Sequence, residues 1–254
     1  MFVAALATYP MKGAAAVAQA AFEVDALGPA GDRRFCLARP GGRAFTQRDD
    51  ANLARLRCTR QGEGLQLEFD GESLEVGPQS FAGSAEVRVW SRSTIARIAG
   101  AAVNGTLTRW FATPLQLAKL EQPLRRQEAA LAFGDAAALL LTNAASLAAL
   151  NAALEAPVPM NRFRPNIVVG GAASYAEDGW GRLRVGDAVL LPVHACGRCE
   201  VTTIDQEFGA ALGDEPLRAL ARSRMRDGEA VFGVRYAVER PGMVRVGDTV
   251  ALLD

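Results

Sequence analysis

Hydrophobic and polar positions along this chain change period more than once, and the changes divide it. From the start to about residue 90, apolar residues come in short runs broken by turn residues. Phe2 to Ala7 reads as a strand, and Val17 to Asp25 as a second that stops at Leu27-Gly28-Pro29. Arg33 to Arg39 breaks at Pro40-Gly41-Gly42, and Ala44 to Gln47, Leu53 to Thr59, Leu65 to Phe69, Ser73 to Val76 and Val87 to Trp90 follow closely. Many short strands with Gly and Pro punctuation predict an antiparallel barrel or sandwich.

The pattern then shifts. Over residues 96–112, Ile98, Val103, Leu107, Trp110 and Phe111 recur at helical spacing, interrupted by Gly100 and Gly105. A second helix is predicted from a Thr142 or Asn143 cap, with Leu147, Leu150 and Leu154 on one face and Pro157 as its stop. Strands are expected again at Ile167 to Val169, Leu183 to Val185, Ala188 to Val193 and Glu200 to Ile204. A short helix over 215–225 has Pro216 near its start, and strands at Phe232 to Val238 and Thr249 to Leu253 close the chain. Arg-Val-Gly-Asp stands at 184–187 and again at 245–248, which reads as two similar tight hairpins. The expected class is mixed, mainly β with α: an antiparallel β-barrel-like domain over residues 1–92, then a second β-barrel domain with short helices over 93–254.

Composition narrows the classes. The 254 residues are half hydrophobic, enough for real cores, and 28 basic residues balance 28 acidic ones. A net charge of zero gives no support to wholesale binding of nucleic acid or an anionic membrane. Lysine is confined to Lys12 and Lys119, so arginine carries nearly all the positive charge. Four cysteines, Cys36, Cys58, Cys196 and Cys199, are too few for a disulfide-stapled secreted fold. The opening MFVAALATYPMKG lacks the basic and long apolar regions of a signal peptide, and no apolar run has the length of a membrane span. The expectation is a soluble, reduced, cytoplasmic protein.

The sharpest local feature is His194-Ala195-Cys196-Gly197-Arg198-Cys199. Half of a zinc site is one reading, although zinc commonly wants four N or S ligands and this chain has a single histidine and no second CxxC. A thiol redox pair is another, although such pairs sit at helix N-termini and the flanks here read as strands. The third is a single cysteine thiolate binding a soft transition metal, with Arg198 beside the pair favouring an ionised sulfur. A second cluster, Asn161-Arg162-Phe163-Arg164-Pro165-Asn166, is either solvated charge or a grip on an anion, since guanidinium groups recognise phosphate in a bidentate manner. The Asn166 amide can both donate and accept toward a ring edge. Tyr9 to Gly13, Gly31 to Arg33 and Asp135 would alone be turn and cap residues.

Taken in order, these segments resemble a known family. Tyr9-Pro10-Met11-Lys12, Gly31-Asp32-Arg33 and Thr46-Gln47-Arg48 are similar to the N-terminal beta-barrel domain that precedes MOSC domains. Phe163 to Val169, Tyr175 to Trp180, Cys196 to Asp205, Glu215-Pro216-Leu217 and the run from Phe232 to Asp248 are similar to the MOSC domain itself. The arrangement resembles the mitochondrial amidoxime reducing component and its bacterial relatives. The resemblance implies a molybdenum cofactor (Mo-molybdopterin) with Cys199 as metal ligand, and Lys12, Arg33, Arg164, Asn166 and Arg198 holding the pterin and its phosphate. It implies catalytic roles for Cys199 and Asp135, the latter able to relay a proton. The activity implied is reduction of N-hydroxylated or N-oxide small molecules, with electrons from a separate donor that is cytochrome b5-like or ferredoxin/flavin reductase-like. A cofactor or sulfur carrier without turnover is the alternative, and the chain has no length left for a pyridoxal phosphate domain. Four positions depart from the family pattern by losing hydroxyls: Gly13, Ala136, Ala137 and Gly197. Each loss removes a hydrogen bond worth about 1 kcal/mol.

Overall fold

The structure is a computed structural model, and it describes residues 1–126 and 129–254. The mainly-β expectation holds: strands dominate, with three short helices among the described residues, α1 (Ala101–Trp110), α2 (Ala144–Asn151) and α3 (Leu217–Ser223). Two cores organise them.

The first core is built by the early part of the chain. A five-stranded antiparallel sheet runs Phe81–Val89, Arg92–Ala99, Gln116–Leu120, Phe35–Ala38, Ala44–Phe45. A meander of Arg57–Gln61, Gly64–Phe69 and Glu72–Val76 faces it, and α1 lies alongside with Val103 and Leu107 inward. Leu37, Phe45, Leu53, Leu65, Leu67 and Leu117 fill the space between. The helix expected over 96–112 is corrected here. Arg92–Ala99 is a strand that pairs on both edges, and the helix begins only after Gly100. The residue 92 junction expected from sequence thus lies at the first residue of a central strand.

The second core lies under a nine-stranded sheet. Its order is Val17–Gln19, Phe2–Thr8, Ile167–Gly170, Leu139–Asn143, Glu229–Arg240, Ala188–Gly197, Leu183–Val185, Val250–Leu252, with Met225–Arg226 attached to Glu229–Arg240. Leu139–Asn143 and Ile167–Gly170 are parallel, and α2 makes the crossover that such a pair requires. Asn143 caps α2 by accepting from the Ala145 N–H, as the sequence suggests. Val3, Leu6, Phe22 and Val24 enter this core beside Leu141, Ile167 and Val169, each burial worth about 1.5–3 kcal/mol. Phe2–Thr8 and Ala21–Asp25 therefore belong structurally with the last hundred residues, while Met11 and Ala14 between them pack into the first core. Neither sheet is a closed barrel. One bridge, Phe2 to Thr249, and the Val3 N–H on Asp248 O (2.9 Å) stand across the gap in the larger one.

The two Arg-Val-Gly-Asp units differ. The first is a hairpin that pairs Val185 with Ala188. The second is not: Gly242–Arg245 pairs with Ala21–Asp25, whereas Val250–Leu252 pairs with Leu183–Val185, so this turn hands the chain from one sheet to another. Asp248 accepts from the Arg245 N–H within it (2.7 Å).

Candidate functional site

A cleft of about 770 Å³ opens where the two bodies meet. Lys12, Arg33, Asp135, Arg164, Arg198 and Cys199 all line it, so six of the seven residues expected from sequence share one cavity although they span positions 12 to 199. Asn166 is the seventh and lies behind the wall, 1 % exposed. Its amide donates to Ala7 O (3.2 Å) and Asp32 Oδ1 (3.1 Å) and accepts from the Leu140 N–H (3.2 Å). It joins the opening strand to the parallel pair and holds the wall in place.

Tyr9 is the pivot of the cation wall. Its hydroxyl donates to Pro165 O (3.1 Å), and the Arg33 and Arg164 guanidiniums lie 4.5 and 4.4 Å from its ring centroid. Burial pushes the phenol up to about 12, so it stays protonated. Both arginines have left-handed backbone, with φ of 50° and 54°, which is uncommon for a non-glycine residue. The Arg33 N–H bonds Tyr9 O (2.6 Å) and its side chain pairs with buried Asp32. Burial works against the Arg33 charge, and Asp32 more than offsets it. Arg164 has only neutral acceptors, Gln206 Oε1 (3.0 Å) and Ala14 O (2.7 Å), and burial brings it down to about 10. It still carries its charge at neutral pH.

Cys199 stands just past the strand Ala188–Gly197, whose bulges at Pro192–His194 and Ala195–Gly197 turn its end toward the cleft. It caps a tight turn, Glu200–Thr203, that replaces the strand expected there. The Thr202 and Thr203 hydroxyls donate back to Cys199 O (2.9 Å) and Glu200 O (2.8 Å), and this local bonding competes with any ladder. Cys36, Cys58 and Cys196 are buried, and only Cys199 is partly exposed. Burial raises the Cys199 thiol. The cation that touches it is Arg48, through Nη2 at 2.8 Å, not its sequence neighbour Arg198. Arg198 instead donates to Phe232 O (2.9 Å) and Phe163 O (3.0 Å), bracing the cysteine turn against stacked Phe163 and Phe232. Arg162, the other arginine of its loop, is buried and holds Asp205 and Thr203 O (both 2.9 Å) rather than facing solvent.

Asp135 pairs with Lys12 and accepts from the Trp90 indole N–H (3.1 Å). Desolvation in the cleft opposes its charge, but the Lys12 ammonium and the indole outweigh that and hold the carboxyl well below the usual carboxylate range. Sequence reasoning placed Arg48 in a family motif without giving it a role, and missed Trp90. Arg48 also pairs with Glu200 (2.7 Å) and lies 4.6 Å from the Trp90 centroid. A tryptophan 60 % exposed, with φ of 58° in a two-residue hairpin turn, is the kind of signal that marks a working position. Arg235 was missed too, although it is the only charge in the apolar run Phe232 to Val238.

Two of the four hydroxyl losses, at Gly13 and Gly197, have local causes. Gly13 has φ of 83°, and a Cβ there would meet Leu53 at 2.5 Å. At Gly197 a Cβ would meet the Glu229 carboxylate at 2.2 Å, so Glu229 fills the space where a side chain would stand.

The sequence model of the MOSC N-terminal beta barrel domain matches residues 1–116, and that of the MOSC domain matches residues 128–251. The mitochondrial amidoxime-reducing component 1 of Homo sapiens is 31 % identical over 278 residues, covering 99 % of this chain and 82 % of that protein. The chain belongs to this MOSC family. Other members give the same picture: component 1 of Xenopus laevis is 32 % identical over 98 % of this chain and 81 % of its own length. Component 2 of Bos taurus is 29 % identical over 98 % and 82 %. In this MOSC protein both matched stretches contribute residues to the cleft, Lys12, Arg33 and Arg48 from the first and Asp135, Arg164, Arg198 and Cys199 from the second.

Proposed function

We propose that this chain binds a molybdenum cofactor through Cys199 and reduces N-hydroxylated or N-oxide small molecules with electrons from a separate donor protein. One observation carries the reading: the single partly exposed thiol among four lies in a cleft lined, among the described residues, by nine Lys and Arg side chains and two carboxylates, Asp135 and Glu229. Relatives over nearly the whole chain bear the name amidoxime-reducing component.

The donor set fits the group. Among the described residues no three His, Cys, Asp or Glu side chains stand where they could hold a bare metal ion. One soft thiolate suits a metal that arrives with its own sulfur ligands. Arg164 and Arg198 are half-buried cations on the cleft wall, bonded to neutral oxygens among the described residues, so a phosphate would compensate them. When bound, the cofactor supplies the two-electron chemistry at nitrogen-bound oxygen. The protein supplies position and charge. Lys12 and Trp90 fix Asp135 through Oδ1, which leaves Oδ2 to accept a hydrogen bond from a substrate N–OH. Held ionised, Asp135 is a hydrogen-bond acceptor and a weak base at neutral pH, so it orients an N–OH rather than deprotonating it. Arg48 donates to the Cys199 sulfur, and its guanidinium stacks over the Trp90 ring. The donor is a cytochrome b5-like or ferredoxin/flavin reductase-like protein. No helix among the described residues is long and apolar enough to cross a membrane.

Metal analysis of the purified protein, with an N-hydroxy compound and an artificial electron donor, tests the reading. The expected result is stoichiometric molybdenum and turnover, both lost in Cys199→Ala. Metal without turnover would leave a carrier; full metal and activity in Cys199→Ala would end the proposal.

A further inference from the structure

The cleft has more positive charge than a cofactor phosphate explains. Lys12, Arg33 and Arg48 are each paired with a carboxylate, and Arg164 and Arg198 are bonded to neutral oxygens. Arg235 differs from all of these. It is half-buried, it lines the cleft, and its side chain makes no hydrogen bond and no ion pair among the described residues. It stands on the twelve-residue strand Glu229–Arg240 and is paired on one side with Leu140, on the other with His194, which lines the same wall. Two ladders fix its backbone, so it is a rigid fixture rather than a loop charge. Its field reaches both Asp135 and Arg198: it helps hold the Asp135 carboxyl low and disfavours the neighbouring Arg198 charge. Two guanidiniums thus repel each other inside a cleft, beside the carboxylate proposed to meet substrate.

We propose that Arg235 is an anion-binding subsite for substrate, and that the compounds this protein reduces carry a carboxylate on the same molecule as the N–O group. The proposal rests on the reductase reading above. A planar guanidinium with free donors takes a carboxylate in a two-point contact, and an anion between Arg235 and Arg198 would remove their repulsion. The contact orients the molecule, with its anion at Arg235 and its nitrogen end toward Asp135 and Cys199. Arg235 is a specificity-determining residue and takes no part in the bond changes.

The test compares two aryl N-hydroxyamidines of equal size, one bearing a ring carboxylate and one neutral. Wild type is expected to favour the carboxylate in kcat/KM, and Arg235→Gln to lower that preference about ten-fold or more, chiefly through KM. Arg235→Lys is expected to restore part of it. An unchanged preference in Arg235→Gln overturns the proposal. So does a loss of molybdenum from that variant in step with activity, since that would make Arg235 a cofactor contact. A separate arm measures benzoate binding to the purified protein by calorimetry. Binding by wild type that is lost in Arg235→Gln supports the subsite, while equal binding by both, or none by wild type, overturns it. If wild type reduces neither compound, the reductase reading fails, and calorimetry still decides the subsite.

Discussion

The two walls of the cleft differ in how their cations are compensated. Lys12, Arg33 and Arg48, from the first fifth of the chain, are each bound to a carboxylate: Asp135, Asp32 and Glu200. Arg164 and Arg198, from the second half, are bound to amide and carbonyl oxygens, and Arg235 to none among the described residues. Arg162 alone on that side has a carboxylate, Asp205. The first wall is charged but already neutralised, and serves as framework. The second carries charge that an anion must complete. Residue type says nothing of this division, since all but one of these cations are arginine; partner type decides it.

The largest expected effect falls on the sulfur between the walls. Cys199→Ser should retain no molybdenum, and in cofactor-free protein native-state alkylation should fall from one thiol to none, because Cys36, Cys58 and Cys196 are buried. Burial also pushes Cys36 and Cys58 up to about 12, so neither competes as a thiolate. Labelling of two or more native thiols in wild type would contradict this.

Next comes the same substitution made on each wall. Arg33→Gln leaves Asp32, 2 % exposed, as a buried charge with no cation, and should cost about 3 kcal/mol in chemical denaturation. Arg164→Gln leaves no such orphan and should cost less than half of that, while weakening cofactor retention about ten-fold or more. Equal stability losses would erase the distinction between framework and receiving wall.

Asn166 sharpens the comparison from behind. Asn166→Ala abandons Asp32, Ala7 O and the Leu140 N–H together, so about 2 kcal/mol of stability should go before any cofactor effect is seen. A variant with native stability and weaker cofactor binding would return Asn166 to the ligand side.

The smallest effect lies far from both walls. Glu177 is buried, accepts from Ser146 (2.8 Å) and Asn143 (3.1 Å), and burial raises its carboxyl above the ordinary 4.5. The folded state therefore keeps a proton that the unfolded state loses first. Its contribution is complete below the unfolded value and declines as pH rises from there through the folded value. Denaturation midpoints across that interval should fall less in Glu177→Gln than in wild type; parallel profiles would refute the assignment.

Sequence made the site more legible than the fold. Cys199, Lys12, Arg33, Arg164, Arg198 and Asp135 were named from motifs and stand in one cavity. Asn166 was named with them, but its amide is spent inside the wall. Periodicity failed where tertiary bonding prevailed. The β-branched Val201, Thr202, Thr203 and Ile204 suit a strand, yet the two threonine hydroxyls draw the backbone into a turn. Ile98 fits the spacing of the helix that follows, but ladders on both edges make it part of a strand. Leu139–Asn143 gave no strand signal because both its faces are buried, and alternation marks only strands with one wet face. Arg235 escaped because one charge in an apolar run reads as an incidental surface residue until its neighbours are known.

The pairing of Phe2–Thr8 with Ile167–Gly170 sets a timetable for synthesis. A ribosome releases the earlier segment more than 150 residues before its far neighbour in the sheet, and until then only Val17–Gln19 can pair with it and its apolar face lacks the core that receives it. A fragment begun at residue 93 would lack that strand altogether, so cutting the polypeptide once cannot yield the later half intact.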